Sequence, residues 1–347
     1  MLREGPVASQ LAAHVTNLYI NAPEEVITAS QFADMCRLHR VTHLRLDCEP
    51  EDHGAEGFLK AIGPQVSQLT TLCSLEASVM LNGDSRMAVS SELFELQALT
   101  RLSLYGFKGQ LGTMCHLSNL QELQLGQGLD AIHVPADIRG LTSLTQLALD
   151  GVELEGELMG LSDLSNLKSL SLSADIDFCD MVVEAKRADF MSALGCLTAL
   201  VSLAFSVDIE LTTSSLGGLS NLTILELHSR AQHTLKCCSG WGALQHLCLS
   251  FCWLKCMPRC LSALTSLTQL DVSRQGGRRF QLLAPLDFLQ HMPALRIVNL
   301  VQCDCWPRDH VAQHMWSTDS LFYLTVAEET NCRSSAHQKV KLLYLPS

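Results

Sequence analysis

Leucine recurs through most of the chain in the pattern L-x-x-L-x-x-L-x-L. The segments LTSLTQLALDG (residues 141–151) and LTSLTQLDVSR (264–274) are nearly identical, and LSNLQELQLGQ (117–127) is a close variant. The apolar residue that opens the final L-x-L stands at thirteen positions, 21 to 33 residues apart: 18, 44, 75, 102, 123, 147, 170, 203, 225, 247, 270, 298 and 324. A period of this length predicts about thirteen copies of one structural unit stacked along the chain.

The L-x-L segment of each copy predicts a short β-strand. Side chains alternate along a strand, so the two apolar residues point to one face and the residue between them to the other. One such strand cannot bury its leucines, but stacked copies can bury them in a parallel sheet that the returning chain covers. Helical returns are expected at 54–69, 180–197 and 282–292, and the shorter returns are expected to be irregular or 3₁₀.

The repeated phrase and its period resemble the leucine-rich repeat proteins. Returning segments such as VPADIRGLTSL (134–144) and MPRCLSALTSL (257–267) are similar to those of plant-type and intracellular members of the family. The resemblance covers nearly the whole chain. It implies an α/β fold, a curved leucine-rich repeat solenoid with a concave parallel β-sheet and a helical or irregular convex side. We expect a single domain over 1–347, with an N-terminal cap at 1–16 and a C-terminal cap or tail at 328–347.

The family's usual asparagine ladder is absent from its usual place. Leucine-rich repeats commonly carry Asn three residues after the last strand leucine, where the amide bonds to the backbone of the next unit. This column contains no Asn here, and Cys252 and Cys303 stand at two of its positions. We therefore predict an atypical ladder after the strands, in which Cys252 is a small buried side chain.

Charge separates the two halves of the chain and limits the classes of partner. The formal net charge is −12. Residues 1–173 hold 21 acidic and 10 basic residues (net −11), and residues 174–347 hold 15 and 14 (net −1). Phosphate binding needs clustered Lys and Arg, so neither nucleic acid nor an anionic membrane is an expected partner. The basic segment RQGGRRF (274–280) is expected to be a solvated turn or a small anion-binding patch.

Cysteine usage and the absence of long apolar runs predict a cytoplasmic location, with the nucleus as the alternative. The chain has 15 cysteines, an odd number without the spacing of a disulfide framework. Its first residues, MLREGPVASQ, lack the apolar run of a signal peptide, and no segment approaches about 18 uninterrupted apolar residues. Free thiols in a reducing compartment are the expectation.

The outward strand positions hold two polar groups that are candidate partner-binding surfaces. Arg and Tyr are enriched at binding hot spots, although ordinary solvated sheet surface is the alternative reading for both groups. The first group predicts the partner-binding residues His43, Arg45, Arg101, Tyr105 and Glu122, with Asp47 in the same group, and the second predicts Glu226, His228, His246 and Asp271, with Cys248 in the same group.

Four cysteines spaced by four residues, Cys248, Cys252, Cys256 and Cys260, suggest a metal or redox site at first sight. Placed in the repeat, Cys248 faces outward, Cys252 takes the ladder position, and the other two fall on the convex return. They should not converge. Carboxylates on both neighbouring strands should raise the pKa of Cys248, whereas a reactive cysteine needs a positive environment. We expect no catalytic residue, metal or cofactor.

The sequence therefore predicts a non-enzymatic protein-interaction module or scaffold that binds a protein partner through the concave sheet face. No phosphate-binding loop or hydrolase motif is present. The resemblance leaves two alternatives open, a regulator of an enzyme such as a GTPase, using Arg45 or Arg101, and a substrate receptor of a ubiquitin ligase. A thiol or metal sensor is a third, weaker alternative.

Overall fold

The structure is a computed structural model that describes residues 15–22, 40–48, 66–79, 87–89, 91–111, 113–126, 132–133, 136–151, 158–173, 183–206, 215–228, 239–250, 252, 259–273, 291–299, 323–327 and 340–344. The chain forms two compact units, Met1–Ile176 and Asp177–Ser347. The two units are described in turn below. The predicted single domain with caps at 1–16 and 328–347 stays a prediction.

In the first unit, short strands lie side by side in one parallel sheet. Its described strands are β1 (Asn17–Ala22), β2 (His43–Cys48), β3 (Ser74–Val79), β5 (Arg101–Tyr105), β7 (Glu122–Gly126), β9 (Gln146–Asp150) and β10 (Ser169–Ser173). Each strand pairs in parallel with the next strand in that order.

The register of this sheet confirms the predicted repeat. Leu44 lies opposite Leu75, and Leu75 lies opposite Leu102, so the leucines form one continuous row. All three are at most 2% exposed. The residues between the strand leucines point away from this apolar row, as the alternation predicts.

Three described returns of the first unit are 3₁₀ helices, as the sequence predicts for the short returns. They are η1 (Ser91–Glu95), η2 (Ala136–Gly140) and η3 (Leu158–Asp163). A second, small parallel sheet contains β4 (Met87–Ala88), β6 (Phe107–Gln110) and β8 (Ile132–His133). Gly106 joins β5 to β6 with a φ of 79°, in the left-handed region that favours glycine.

The second unit repeats the same plan. Its described strands are β11 (Ser202–Ser206), β12 (Ile224–His228), β13 (His246–Cys248), β14 (Gln269–Asp271), β15 (Ile297–Asn299), β16 (Tyr323–Ala327) and β17 (Val340–Tyr344). The strands from β11 to β16 pair in parallel and in order. The last strand, β17, pairs antiparallel with β16.

One predicted helical return is confirmed in the second unit. Helix α1 (Val183–Gly195) packs Phe190 against Phe205 of β11, with ring centroids 5.8 Å apart. The shorter returns are 3₁₀ helices: η4 (Ser215–Gly218), η5 (Ser239–Trp241) and η6 (Arg259–Ala263). The expected helix at 54–69 lies outside the described residues up to residue 65, and the expected helix at 282–292 lies outside them up to residue 290.

A regular hydrogen-bond ladder runs along the edge where the strands begin, on the side opposite to the one the sequence analysis considered. The carbonyl of the residue before each strand accepts the backbone N–H of its equivalent in the next repeat, as between Thr16 and Thr42 at 2.8 Å. Threonine hydroxyls reinforce these rungs at 3.0–3.2 Å, from Thr42, Thr100, Thr145, Thr223 and Thr268. The asparagines of the L-S-N-L phrase, Asn119, Asn166 and Asn221, bond to the preceding return at 2.9–3.0 Å.

The prediction for Cys252 is confirmed. Its side chain is 1% exposed, and its Sγ donates to the carbonyl oxygen of Leu227 at 2.9 Å. Cys256 lies outside the described residues, and only the backbone of Cys260 is described. Cys248 and Cys252 therefore lie on different sides of the repeat, Cys248 outward and Cys252 inside.

Candidate functional site

The outward face is the side of each sheet that carries the residues between and beside the buried strand leucines. In the first unit it holds a patch of charged and aromatic side chains, which we call the first-unit patch: Tyr19, His43, Arg45, Asp47, Glu76, Arg101, Tyr105 and Glu122. Five of these eight residues were predicted as partner-binding. Asp47 was part of the same predicted polar group, whereas Tyr19 and Glu76 were not.

Arg45 links three strands of this patch. Its Nε donates to Asp47 Oδ2 at 3.0 Å, and its Nη1 lies 3.0 Å from Glu76 Oε1 on β3. The guanidinium also lies over the ring of Tyr19 on β1, 5.6 Å from the centroid, which is within cation–π range. Tyr19 is 57% exposed, although its hydroxyl donates to Asp47 Oδ2 at 2.8 Å. An aromatic ring and a guanidinium are thus held in fixed positions at the surface.

Arg101 and Glu122 form a bidentate ion pair between β5 and β7. Arg101 Nε donates to Glu122 Oε2 at 2.5 Å, and its Nη2 donates to Oε1 at 2.9 Å. This hydrogen bonding lowers the pKa of Glu122. The Arg101 side chain stays 52% exposed, so the pair presents its charges to solvent. A planar fork-to-carboxylate contact fixes the orientation of both side chains.

Tyr105 lies at the other end of β5 from this ion pair. Its hydroxyl donates to Gln124 Oε1 at 2.6 Å, which directs the ring across β7. Burial is the first cause that raises the pKa of Tyr105, and the charges of Glu76 and Asp150 raise it further. Both carboxylates therefore act on the same hydroxyl.

His43 stands apart from these contacts. It is exposed at the start of β2, and its Nδ1 lies 2.9 Å from Thr42 Oγ1. Among the described residues, no carboxylate of the patch pairs with it.

The second unit carries a smaller polar group, the second-unit patch: Glu226, His228, His246, Cys248, Ser250 and Asp271. The register places Glu226, Cys248 and Asp271 side by side on β12, β13 and β14, as predicted. Both carboxylate oxygens of Asp271 already accept hydrogen bonds. Ser273 N donates to its Oδ1 and Asn299 Nδ2 donates to its Oδ2, both at 2.8 Å. Glu226 is the exposed carboxylate of the group.

The two histidines of this patch have different surroundings. His228 Nδ1 lies 2.6 Å from the hydroxyl of Ser250, a serine that is only 7% exposed. His246 sits half-buried at the start of β13, between Ile224 and Gln269 on the neighbouring strands. The contact of Ser250 with His228 was not predicted. Its position two residues after Cys248 nevertheless places Ser250 on the same face of the sheet as Cys248.

Cys248 is a weakly acidic thiol. Burial is the main cause that raises its pKa, the charges of Asp271 and Glu226 add to that rise, and hydrogen bonds with Ser250 oppose it. The predicted direction of the pKa shift is right, but the prediction rested on the two carboxylates alone, whereas burial is the main cause. A raised pKa keeps the thiol protonated, which disfavours a nucleophile or a metal-bound thiolate.

Three further features of the described residues bear on the chemistry of the chain. No group of three or more His, Cys, Asp or Glu side chains there is placed to hold a metal ion. Among the same residues, no helix combines the length and apolar character needed to cross a membrane. Five cysteines in this part of the chain form no disulfide bond: Cys73, Cys115, Cys196, Cys248 and Cys252.

Comparisons with known proteins find similarity in the fold and not in the sequence. No family model and no curated protein sequence matches it. An internalin from Listeria monocytogenes is similar in structure, with a TM-score of 0.53 and 17% identity over 86% of this chain and 83% of the other. A leucine-rich repeat protein from Leptospira interrogans also has a TM-score of 0.53, with 17% identity over 91% of this chain and 97% of the other.

A third similar structure is the leucine-rich repeat ectodomain of the Arabidopsis thaliana membrane receptor kinase GASSHO1/SCHENGEN3, solved in complex with CASPARIAN STRIP INTEGRITY FACTOR 2. Its TM-score is 0.52 and its identity 16%, over 87% of this chain. The match spans 36% of that ectodomain chain. At these identities the likeness establishes the fold alone.

Proposed function

The chain has the leucine-rich repeat fold, and we propose that it is a non-enzymatic interaction module that binds a protein partner through the outward face of its parallel sheets. The observation that carries the proposal is the first-unit patch, where exposed Tyr19 and half-exposed Arg45 and Arg101 are held by ion pairs and hydrogen bonds. Tyr and Arg are the residue types that dominate binding hot spots. Holding them in place before binding reduces the conformational entropy lost on association.

The contacts of both arginines argue against a GTPase regulator. An arginine that completes a phosphoryl-transfer site must offer its guanidinium to the transferring phosphate. Here Arg45 is paired with Asp47 and Glu76, and Arg101 with Glu122. The second-unit patch is likewise a poor metal or thiol sensor, because Asp271 is occupied and the pKa of Cys248 is raised.

A cytoplasmic or nuclear location is part of the same proposal. The five cysteines in the described part of the chain that form no disulfide bond fit a reducing compartment. Fractionation of the native cell, with the endogenous chain detected by antibody, is the direct measurement.

The test of the interaction function is affinity capture from the native cell with the full chain as bait. Two variants alter the patches, Arg101→Ala/Tyr105→Ala and Glu226→Ala/His228→Ala. A matched control, Glu95→Ala/Asp163→Ala, changes two exposed residues of the 3₁₀ returns. We expect a direct partner that is kept by the wild type and the control and lost with a patch variant. If both patch variants keep every partner, binding through the outward face is wrong.

A further inference from the structure

The second-unit patch contains a buried hydroxyl group with two competing neighbours. Ser250 is 7% exposed, and its Oγ lies 2.6 Å from Nδ1 of His228 on β12. The Sγ of Cys248, two residues earlier in the chain, lies 3.5 Å from the same oxygen. Within the part of the chain that the structure describes, these are the two side chains that share a hydrogen bond with this hydroxyl. We call Cys248, Ser250 and His228 the hydroxyl relay.

The hydroxyl of Ser250 has a single proton, which limits the hydrogen bonds that the relay forms at one time. When His228 is neutral with its proton on Nε2, Ser250 donates to Nδ1 and accepts a weak bond from the thiol of Cys248. When Nδ1 carries a proton, His228 donates to Ser250 instead. The Ser250 O–H then needs another acceptor, because a buried donor without one is costly. The sulfur of Cys248 is a weak acceptor, and it lies within reach.

The charged and titratable groups around His228 come from its own strand and from two others. On the β11 side the register places Ser206 beside His228, and serine does not titrate. Only another histidine can therefore place a like charge near a protonated His228 among the described residues. The titratable groups that face His228 are Glu226 on β12, His246 and Cys248 on β13, and Asp271 on β14.

Cys248 can accept from Ser250 while its thiol stays neutral. Burial is the main cause that raises the pKa of Cys248, and the charges of Asp271 and Glu226 raise it further. A protonated thiol can turn its S–H outward, because Cys248 is only partly buried, and offer the sulfur to the hydroxyl. The charge of the relay therefore changes at His228 alone.

We propose that the hydroxyl relay is a pH-sensitive switch, in which the Ser250 hydroxyl turns from His228 to Cys248 when His228 takes up a proton from solvent. Histidine is the side chain that ordinarily changes charge between about pH 5 and 8. Cys248 lets the second-unit patch gain a positive charge in this range without leaving the buried hydroxyl unsatisfied. Acidification thus changes the charge of a face that the proposed function assigns to partner binding.

The experiment follows His228 by NMR of the full chain with isotope-labelled histidine, between about pH 5 and 8. Comparison with His228→Gln assigns the signal. Nitrogen shifts report which ring atom carries the proton. The ratio of protonated to neutral His228 is measured near pH 6.5, at about the midpoint for a histidine in a model peptide.

Four variants separate the parts of the relay. Cys248→Ala removes the alternative acceptor, whereas Cys248→Ser keeps an acceptor in the same place. Ser250→Ala removes the hydroxyl, alone and combined with Cys248→Ala. The matched control is Cys196→Ala, which changes an exposed cysteine elsewhere in the second unit. Circular dichroism and Tm check that each variant is folded.

We expect neutral His228 of the wild type to carry its proton on Nε2. In Cys248→Ala the ratio of protonated to neutral His228 should fall about three- to tenfold, because a proton on Nδ1 then leaves the Ser250 hydroxyl without an acceptor. The ratio should not fall in Cys248→Ser, and it should stay within about twofold of the wild type in Cys196→Ala. Once Ser250→Ala is present, Cys248→Ala should have no further effect, since no hydroxyl is left to turn.

Three results would overturn the switch. A proton on Nδ1 of neutral His228 would mean that Ser250 does not donate to the ring. No fall in Cys248→Ala, or an equal fall in Cys248→Ser, would mean that an acceptor at this position is not what the relay needs. A fall that persists in the Ser250→Ala background would mean that Cys248 acts on His228 without the hydroxyl.

The switch and the proposed function can fail separately. The NMR measurement uses the chain alone, so it does not depend on a captured partner. If both patch variants keep every partner in affinity capture, the interaction function fails and the switch is unaffected. If the NMR result overturns the switch, binding through the outward face is still tested by the capture experiment.

Discussion

The hydroxyl of Thr100 donates a 3.0 Å hydrogen bond to the carbonyl oxygen of Cys73, which holds the same position one repeat earlier. That carbonyl also accepts the backbone N–H groups of Thr100 and Arg101, at 2.8 and 3.0 Å. One oxygen thus joins two repeats just before strand β5 begins. Because Arg101 is the first residue of that strand, the joint also positions the arginine of the first-unit patch.

Thr100→Val is expected to lower the free energy of unfolding by about 1 kcal/mol. Valine keeps the shape of threonine but cannot donate to Cys73, and a typical intramolecular hydrogen bond contributes about that amount. Urea unfolding followed by circular dichroism measures the change. Thr100→Ser keeps the hydroxyl and should lose clearly less stability. Equal losses in the two variants would mean that the hydrogen bond is not what the threonine supplies.

Gly106→Ala is expected to destabilise the first unit on the order of 2 kcal/mol or more. The residue has a φ of 79°, and an added Cβ would lie 1.8 Å from the carbonyl oxygen of Val79. Left-handed strain and a backbone clash would both have to be relieved. Gly242→Ala is the matched control, since nothing lies within 4 Å of a Cβ at that exposed site. Thermal unfolding that shifts equally in both variants would contradict the geometry.

Glu122→Gln is expected to cost less than about 1 kcal/mol at neutral pH, and this cost should vanish in acid. Pairing with Arg101 lowers the pKa of Glu122 in the folded protein, so the pair stabilises the fold above the unfolded pKa of about 4.3. That stability is lost as the pH falls through the folded pKa. The upper limit reflects solvent screening, because Arg101 is half exposed.

The measurement is the difference in unfolding free energy between wild type and Glu122→Gln at several values of pH from 7 to 3. Glu95→Gln is the control, because no ion pair to Glu95 is present among the described residues. A difference that stays constant across this range would contradict the ion pair as its source.

Alkylation of Cys248 is expected to reach its half-maximal rate above the ordinary thiol pKa of about 8.5. Burial and two neighbouring carboxylates raise the pKa of this thiol, while Ser250 opposes them. Ser250→Ala should therefore raise the pKa further and slow the reaction near pH 8. Iodoacetamide labelling resolved by peptide mass spectrometry gives the rate, with exposed Cys196 as the internal reference. Faster labelling of Cys248 in Ser250→Ala would show that access, and not ionisation, controls the reaction.

The strands were predictable because only one strand register buries all the leucines of their apolar pattern. Shifting Leu75 or Leu102 by one residue would turn each strand's leucines to solvent, so burial sets the register. The repeat of this pattern at thirteen positions made the parallel pairing predictable as well. The small sheet of β4, β6 and β8 was not predicted, because its strands are too short to show a pattern.

The ladder before the strands was not predicted, because the prediction concerned the position after the strands, where the family usually carries Asn. Its signal was in the sequence, as threonine recurs directly after the second apolar residue of the repeat at Thr42, Thr100, Thr145, Thr223 and Thr268. What the sequence does not show is the acceptor, a carbonyl that another repeat supplies across 20 or more residues. Only stacking brings donor and acceptor together.

For the candidate site as well, the sequence determined one part and the tertiary structure the other. The leucine period by itself determined which residues face outward, because side chains alternate along a strand, and so it determined that Arg45, Arg101, Glu226 and Asp271 share that kind of surface. The tertiary structure decided which of these side chains are held by hydrogen bonds or ion pairs within the sheet. Asp271 is bonded on both oxygens within its sheet, whereas Glu226 is exposed. That difference depends on which side chain lies on the neighbouring strand and how it is oriented, and these are properties of packing that no local pattern contains.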